Sequence, residues 1–225
     1  MIEKILPATV ASAEAFADPP DALLFPEEEA VIRRAVDKRR REFTTARVCA
    51  RRALEDLGLP PTPILPGERG APQWPYGVVG SMTHCDGYRA AAVAWGTQVH
   101  TIGIDAEPHA PLPGGVLDTI ALAGELRRLE ELRRTAPTLH WDRLLFSAKE
   151  CVYKAWFPVT RRWLGFEEAD LVLRRDGTFA ARLLATGATI PAGGPLTGFT
   201  GRWVIADGLV VTVIASVAPP HPPFG

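Results

Sequence analysis

Two acidic residues separated by one position end an apolar segment. Asp105 and Glu107 occur in the run Gly103-Ile104-Asp105-Ala106-Glu107. Alternate side chains of a β-strand point to the same face, so both carboxylates would share one small volume. Like charges so placed need a proton, a basic group or a cation, and carboxylate oxygens favour Mg²⁺ or Mn²⁺ over zinc. Taken alone, the pair also fits two solvated acids at the end of a strand.

A third carboxylate and a lysine lie on one side of a helix predicted over residues 139–156. Glu150 and Lys154 are four residues apart and can meet across one turn; alone they would form an exposed ion pair contributing about 0.3 kcal/mol. If their side of the helix faces Asp105, Glu150 completes a carboxylate set for Mg²⁺ and Lys154 can bind phosphate. The opposite side is apolar and predicts a buried stripe of Trp141, Leu144, Leu145, Ala148, Val152, Ala155 and Trp156.

Small and hydroxylated residues precede another apolar segment, in the run Gly80-Ser81-Met82-Thr83-His84. Hydroxyls, amides and an imidazole can all bind phosphate, and Arg69 in a nearby loop could add a charged contact. A single His is more often a hydrogen-bonded structural residue. Only the combination of the three regions therefore points to a phosphate-binding site.

The composition excludes several classes of protein. The chain has 225 residues with 25 basic and 26 acidic side chains, a balance that argues against a protein dominated by nucleic-acid binding. Its three cysteines, Cys49, Cys85 and Cys151, lie far apart without a CxxC pair, so neither a disulfide framework nor a zinc site is expected. With no basic leader and no apolar run of about 18 residues, we expect a cytoplasmic protein that does not contact membranes.

The first part of the chain predicts one or two helices over residues 26–58, starting at Pro26 and stopping at Gly58. Arg39, Arg47 and Arg51 are expected to lie off the apolar stripe of this segment. A loop rich in Pro and Gly follows over 60–77. Two strands, 88–95 and 100–106, are then predicted to pair through a turn at Gly96-Thr97-Gln98.

The second part of the chain predicts helices over 116–134 and 139–156, followed by strands over 169–184 and 200–215 with hairpin turns at Asp176-Gly177 and Asp207-Gly208. The order of elements indicates an α+β protein with two comparable halves, 1–108 and 109–225. A complete cleft between two halves makes a monomer the simpler expectation. A mobile Pro-rich tail is expected over about 218–225.

Taken together, these segments resemble the 4'-phosphopantetheinyl transferases of the Sfp and EntD type, especially the actinobacterial enzymes that serve polyketide and lipid synthases. The resemblance covers most of the chain and rests on runs that match the family patterns (V/I)GxDxE and (F/W)xxKExxxK, together with accompanying segments: Gly80-Ser81-Met82-Thr83-His84-Cys85, Gly103-Ile104-Asp105-Ala106-Glu107-Pro108, Phe146-Ser147-Ala148-Lys149-Glu150-Cys151-Val152-Tyr153-Lys154-Ala155-Trp156, Lys38-Arg39-Arg40, Arg47-Val48-Cys49-Ala50-Arg51 and Arg161-Arg162-Trp163-Leu164-Gly165-Phe166. It implies a pseudo-symmetric pair of α/β halves with coenzyme A bound in the cleft between them.

The resemblance also implies roles for individual residues. Three carboxylates would bind Mg²⁺, or Mn²⁺ in its place: Asp105, Glu107 and Glu150. Lys154 would contact the transferring phosphate, and Glu150 would act as the general base. The 3'-phosphate of coenzyme A would be held by Arg39, Arg47 and His84, and the nucleotide site lined by Glu68, Arg69 and Thr83. The pantetheine arm would be flanked by Tyr153 and Trp163.

The reaction implied is an in-line attack by a serine hydroxyl of an acyl carrier, peptidyl carrier or polyketide-synthase carrier domain on the β-phosphate of coenzyme A, with 3',5'-ADP leaving. Two positions depart from the family pattern. Pro66 stands where close relatives often carry a basic residue, so one nucleotide contact is expected to be missing, and Cys151 replaces a commoner Ala or Ser. Neither change removes a predicted metal ligand.

Two other functions remain compatible with these residues. A metal-dependent phosphohydrolase of a nucleotide diphosphate could use the same acids and lysine with water as acceptor, although no further acidic cluster suggests a two-metal site. A non-catalytic module could bind anions or nucleic acid through residues 33–52, which are rich in Arg and Lys. Such a module predicts steep salt dependence without Mg²⁺ dependence.

Overall fold

Eight strands and five α-helices make up the protein in a computed structural model that describes residues 1–189 and 194–217. The predicted tail at 218–225 lies outside the described residues. The helices are α1 (Pro26–Ile32), α2 (Asp37–Asp56), α3 (Val116–Ile120), α4 (Ala123–Thr135) and α5 (Trp141–Thr160). The strands are β1 (Ala11–Ala15), β2 (Val78–Cys85), β3 (Tyr88–Trp95), β4 (Val99–Pro108), β5 (Ala169–Leu173), β6 (Thr178–Leu183), β7 (Gly198–Ala206) and β8 (Leu209–Val217).

The strands form two antiparallel sheets, in the orders β1-β3-β2 and β4-β8-β7-β6-β5. The α+β prediction and the two hairpins at Asp176-Gly177 and Asp207-Gly208 are confirmed. The predicted pairing of β3 with β4 is wrong, because β1 and β2 occupy both edges of β3 and β4 pairs with β8. The division into halves at residue 108 stays a prediction, and β4, which precedes it, is hydrogen-bonded to β8, which follows it.

Strand β2 lies beside β4 and joins the two sheets through side chains. The Ile104 N–H donates to Ser81 Oγ and the Ala106 N–H donates to Thr83 Oγ1, each at 3.1 Å. These two hydroxyls take the place of the carbonyls that a paired strand would offer. The run that sequence placed before a strand is therefore part of β2 itself, and it fixes the position of the segment that carries Asp105.

Helix α5 packs against β4 and β8 with the predicted stripe fully buried. The two elements approach so closely that a Cβ added to Gly103 would lie 2.2 Å from the Cys151 carbonyl oxygen. Two further contacts fix the helix: Cys151 Sγ donates to Gly103 O at 3.1 Å, and Thr101 Oγ1 donates to Ala155 O at 2.7 Å. A glycine at position 103 thus sets how near α5 comes to β4.

The segment predicted over 26–58 forms two helices, α1 and α2, and the one predicted over 116–134 also divides, into α3 and α4. Helix α2 packs small side chains, including Cys49, Ala50 and Ala53, against the first sheet. No helix within the described ranges 1–189 and 194–217 is long and apolar enough to cross a lipid bilayer.

Candidate active site

Asp105 lies at the centre of the site and is only 4% exposed. Lys154 Nζ on α5 is 2.7 Å from its Oδ1, and Thr83 Oγ1 on β2 lies 3.5 Å from the same oxygen. Its other oxygen, Oδ2, is buried and has no hydrogen-bond partner among the described residues. The polar side of α5 therefore faces β4, the condition on which the sequence argument depended.

Lys154 is held charged by this contact. Burial lowers its pKa, but the Asp105 carboxylate and its hydrogen bond outweigh burial, so the pKa of Lys154 lies above its ordinary value. The Lys154 side chain remains 28% exposed. A charged amine therefore lines the cavity at the centre of the site.

Glu107 and Glu150 both lie close enough to Asp105 to be affected by its negative charge. Burial and the negative charge of Asp105 raise the pKa of both carboxyls. Arg143 opposes the shift at Glu107, with Nη1 2.9 Å from Oε2, and Lys154 opposes it at Glu150. Further positive charge at this point would stabilise all three carboxylates in their ionised form.

A hard cation fits this donor set, although the carboxylates are now held by cationic side chains. In the described part of the chain, no three His, Cys, Asp or Glu side chains lie together closely enough to hold a metal. However, Oδ2 of Asp105 is buried without a hydrogen-bond partner among the described residues, and the donors of all three carboxylates are oxygens, as Mg²⁺ prefers. The assignment of these residues as metal ligands stays a prediction.

A basic region lies at the other side of β2. Arg39 Nη1 is 2.7 Å from His84 Nε2. Since a guanidinium has only donors, His84 Nε2 must accept, which makes the imidazole neutral in this arrangement. Burial, followed by the charge of Arg39, lowers the pKa of His84 in agreement with that geometry. The pair can supply one permanent and one inducible positive charge to an anion.

Arg47 differs from the prediction that it lies off the apolar stripe. It is 7% exposed, its guanidinium carbon lies 3.2 Å from the centre of the Phe43 ring, and its Nε donates to Ile64 O at 3.3 Å. Burial lowers the pKa of Arg47 to about 10. A planar guanidinium can stack on an aromatic ring. An arginine can therefore lie on the buried side of α2, although the apolar periodicity did not predict it there.

The loop between α2 and β2 meets the aromatic end of α5. Arg69 has a left-handed backbone with φ of 52°, and its guanidinium lies 5.4 Å from the Trp163 ring centre. Trp163 in turn lies 5.1 Å from the Tyr153 ring centre and is 60% exposed. The neighbouring Glu68 is exposed to solvent. Residues predicted for the nucleotide and for the pantetheine arm therefore meet around one opening.

Three cavities follow one another through these residues. A cavity of about 450 Å³ is lined by Arg39, Arg47 and His84, and shares Gly70, Pro72 and Met82 with a second cavity of about 200 Å³. The second cavity is also lined by Arg69, Glu150 and Lys154. It shares Glu150 and Tyr153 with a third, of about 140 Å³, which is lined by Lys149, Trp163, Leu164, Gly165, Phe166 and Ala169. Together they form one groove, basic at one end and aromatic at the other.

Sequence reasoning missed the partner of Glu107. Arg143 received no role from the sequence, yet it binds Glu107 and also donates to the carbonyls of Ala110 and Pro111 at 3.1 and 3.0 Å. Its spacing of seven residues from Glu150, two helical turns, was the available signal. Pro66 and Cys151, the two departures from the pattern, respectively line the basic cavity and contact Gly103.

Comparison with known proteins identifies the family. Residues 27–94 match the 4'-phosphopantetheinyl transferase N-terminal domain, and residues 101–206 match the 4'-phosphopantetheinyl transferase superfamily. The chain belongs to this superfamily, so the resemblance read from the motifs is confirmed.

Three curated relatives align with nearly the whole chain. The transferases Svp of Streptomyces mobaraensis and Npt of Nocardia iowensis are each 56% identical over 223 residues, which cover 97% and 96% of this chain and 90% and 99% of the relatives. PptT of Mycobacterium tuberculosis is 52% identical over 224 residues, covering 95% of this chain and 97% of the relative.

Proposed function

We propose that this protein transfers the 4'-phosphopantetheine group of coenzyme A to a serine of apo carrier proteins, converting them to the holo form and releasing 3',5'-ADP. The observation that carries the proposal is the Asp105–Lys154 pair, in a chain that belongs to this superfamily. Lys154 lines the middle cavity of the groove, and the buried Asp105 behind it keeps one carboxylate oxygen without a partner among the described residues. A phosphate centre between a basic end and an aromatic end matches the chemical sequence of coenzyme A.

Coenzyme A would lie along the groove in one direction. Arg39, Arg47 and His84 would hold the 3'-phosphate, because a permanent cation, a stacked guanidinium and an imidazole line the same cavity. Arg69, which lines the second cavity, would contact the nucleotide. Glu68, next to it in the chain, and the buried Thr83, whose hydroxyl lies 3.5 Å from Lys154 Nζ, would complete the nucleotide site, although neither lines one of the three cavities. Tyr153 and Trp163 would flank the pantetheine arm at the aromatic end.

Mg²⁺, or Mn²⁺ in its place, would be held by Asp105, Glu107 and Glu150. When bound, the ion supplies neutralising charge to the diphosphate and polarises its oxygens. Lys154 would then direct its amine to the transferring phosphate in place of Asp105. A Mg²⁺ requirement is therefore part of the proposal, and the oxygen-only donor set supports it.

The carrier serine oxygen would form a bond to the β-phosphorus of coenzyme A while the bond from that phosphorus to the oxygen of the 5'-phosphate breaks. The serine proton would pass to the Glu150 carboxylate, and the electron pair of the broken bond would leave with 3',5'-ADP. Glu150 lines the same cavity as Lys154, which would place its carboxylate beside the transferring phosphate and within reach of the serine proton. Positioning and charge neutralisation supply most of the remaining acceleration.

The acceptors would be acyl carrier, peptidyl carrier or polyketide-synthase carrier domains. The exposed cations Arg33 and Arg34 at the end of α1 support an acidic docking partner. Since a single chain carries the whole groove, we also propose a monomer, working in the cytoplasm, with its halves divided near residue 108.

Intact mass spectrometry tests the proposed reaction. Apo forms of the three carrier types are incubated with this protein, coenzyme A and Mg²⁺, with EDTA added in a parallel sample. We expect a mass gain of one phosphopantetheine unit that EDTA abolishes. Release of free phosphopantetheine without carrier modification would instead favour the phosphohydrolase, and salt-sensitive anion binding without turnover would favour the binding module.

A further inference from the structure

Lys149 precedes the proposed base, Glu150, in the sequence, but its side chain points into the protein, toward α4 and the segment that follows α5. Lys149 is 3% exposed and lines the third cavity alone, whereas Glu150 lines both the second and the third. The Lys149 amine lies 2.6 Å from Phe166 O, 3.0 Å from Ala169 O and 2.9 Å from Glu125 Oε2. All three of its donors are therefore used inside the protein, and none is directed to a phosphate.

Glu125 completes this buried pair from α4. It is 1% exposed, its Oε1 accepts the Leu171 N–H at 2.8 Å, and its Oε2 accepts the Leu122 N–H at 2.7 Å. A buried ion pair stabilises a fold only when its remaining hydrogen-bonding capacity is satisfied, and here it is. The pair joins α4, α5 and the segment from Phe166 to Leu171 at one point.

This point lies directly behind the aromatic end of the groove. The cavity of about 140 Å³ has one wall on α5, from Lys149, Glu150 and Tyr153, and another on the segment that includes Trp163 and Phe166. Two of the three Lys149 partners are carbonyls of that second wall or its end. The lysine thus connects the two walls of this cavity.

We propose that Lys149 is a positioning residue that holds the 163–169 segment at the spacing from α5 required to bind the pantetheine arm of coenzyme A. The inference rests on the proposed function and deepens it, since it gives different roles to two adjacent residues of one motif. Glu150 acts on the reacting atoms, whereas Lys149 acts through the carbonyls of Phe166 and Ala169. This assignment gives Lys149 no contact with the nucleotide or the phosphates.

Paired binding measurements on a Lys149→Met variant test the proposal. Methionine keeps a long unbranched side chain and removes the three hydrogen-bond donors. Dissociation constants for coenzyme A and for 3',5'-ADP, which lacks the pantetheine arm together with the β-phosphate that carries it, are measured by calorimetry in Mg²⁺. We expect coenzyme A to bind roughly tenfold more weakly, with the affinity for 3',5'-ADP changed less than about twofold.

An Arg128→Met variant is the matched control. Arg128 also joins α4 to β5, but its partners, Asp170 and Leu171, do not line the cavity. We expect its ratio of coenzyme A to 3',5'-ADP affinity to equal that of the unaltered protein. If Lys149→Met does not fold, Lys149→Gln, which keeps two donors on a shorter side chain, takes its place with the same expected change in ratio.

Equal weakening of both ligands, or no weakening of coenzyme A, would overturn the positioning role. So would equal affinities of the unaltered protein for coenzyme A and 3',5'-ADP, because the arm would then gain nothing from the cavity. Carrier modification by the unaltered protein is measured separately, so that loss of the positioning role leaves the proposed function standing.

Discussion

The two long helices of this protein, α2 and α5, are both 20 residues long and each covers one sheet, yet they serve the groove in different ways. Helix α2 contributes positively charged side chains to the groove: Arg47 stacks on the Phe43 ring, and Arg39 is exposed to solvent. Helix α5 is locked onto β4 by close backbone approach at Gly103 and by buried hydrogen bonds. The basic end of the groove is therefore adaptable, whereas the middle of the groove, where α5 carries Glu150 and Lys154, is fixed.

This difference between α2 and α5 matches the task that each helix would have in the proposed reaction. Holding a phosphate by charge tolerates small displacements, because electrostatic attraction changes slowly with distance. Transferring a phosphoryl group requires reacting atoms held within a narrow range of positions. We therefore expect changes on α5 to abolish turnover, and changes on α2 to weaken binding while leaving the chemistry intact.

The largest effect is expected from Glu150→Gln. Removing the proton acceptor while keeping the size of the side chain should lower the rate of carrier modification by about 10²- to 10⁴-fold. Glu130→Gln, on the exposed side of α4, is the control and should be fully active. The rates are followed by intact mass of the carrier, and an unimpaired Glu150→Gln variant would remove Glu150 from the mechanism.

Gly103→Ala tests whether the close approach of α5 matters. The added methyl group would lie 2.2 Å from Cys151 O and 2.9 Å from Ala155 N, so the helix must move. We expect a loss of about 1–3 kcal/mol in the free energy of unfolding, measured by urea denaturation, with a fall in the transfer rate. Gly114→Ala, where no atom lies within 4 Å of the added methyl group, should change neither quantity.

Arg39→Ala probes the adaptable end. We expect coenzyme A to bind about tenfold more weakly, with a shallower dependence of affinity on salt, because one charge-assisted contact is lost. The maximal rate at saturating coenzyme A should stay within about twofold of the original, as uniform binding alone is affected. A lowered maximal rate with unchanged affinity would reverse the roles given to α2 and α5.

A smaller effect concerns the proton on His84. Its pKa is lowered by burial and by Arg39, and a bound phosphate would raise it, so coenzyme A binding near pH 6.5 should draw a proton onto the ring. Calorimetry in buffers of different ionisation enthalpy measures this uptake, and His84→Gln should reduce it.

The same pKa shift affects the ligand-free protein. Because the unfolded state binds the His84 proton more tightly than the folded state, the contribution of His84 to stability increases as the pH rises toward and through 6.5. An unaltered pH dependence of unfolding in His84→Gln would contradict the neutral imidazole described in the structure.

Periodicity predicted the elements best where one long amphipathic pattern dominates. The stripe of α5 from Trp141 to Trp156 is buried as expected, and placing Glu150 and Lys154 on the opposite side followed from spacing alone. Strand β1 was not predicted, because its Ala-Ser-Ala-Glu-Ala run lacks the branched and aromatic residues typical of strands.

Local sequence signals did not predict which strands pair or which side chains stack. The turn at Gly96-Thr97-Gln98 suggested a hairpin, but a turn does not reveal that both edges of β3 are already occupied. Similarly, hydrophobic periodicity could not show that Arg47 stacks on Phe43 within the buried side of α2. Strand alternation and helix spacing suggested that Asp105, Glu107 and Glu150 could form a carboxylate set, and the family pattern then assigned them as metal ligands. That assignment stays a prediction.

A crystal structure with coenzyme A and Mg²⁺ tests the account most directly. We expect the 3'-phosphate beside Arg39, Arg47 and His84, the diphosphate between Asp105 and Lys154, and the pantetheine arm against Tyr153 and Trp163. Coenzyme A lying in the opposite direction, or in the separate cavity of about 470 Å³ bounded by Arg174 and Arg202, would contradict it.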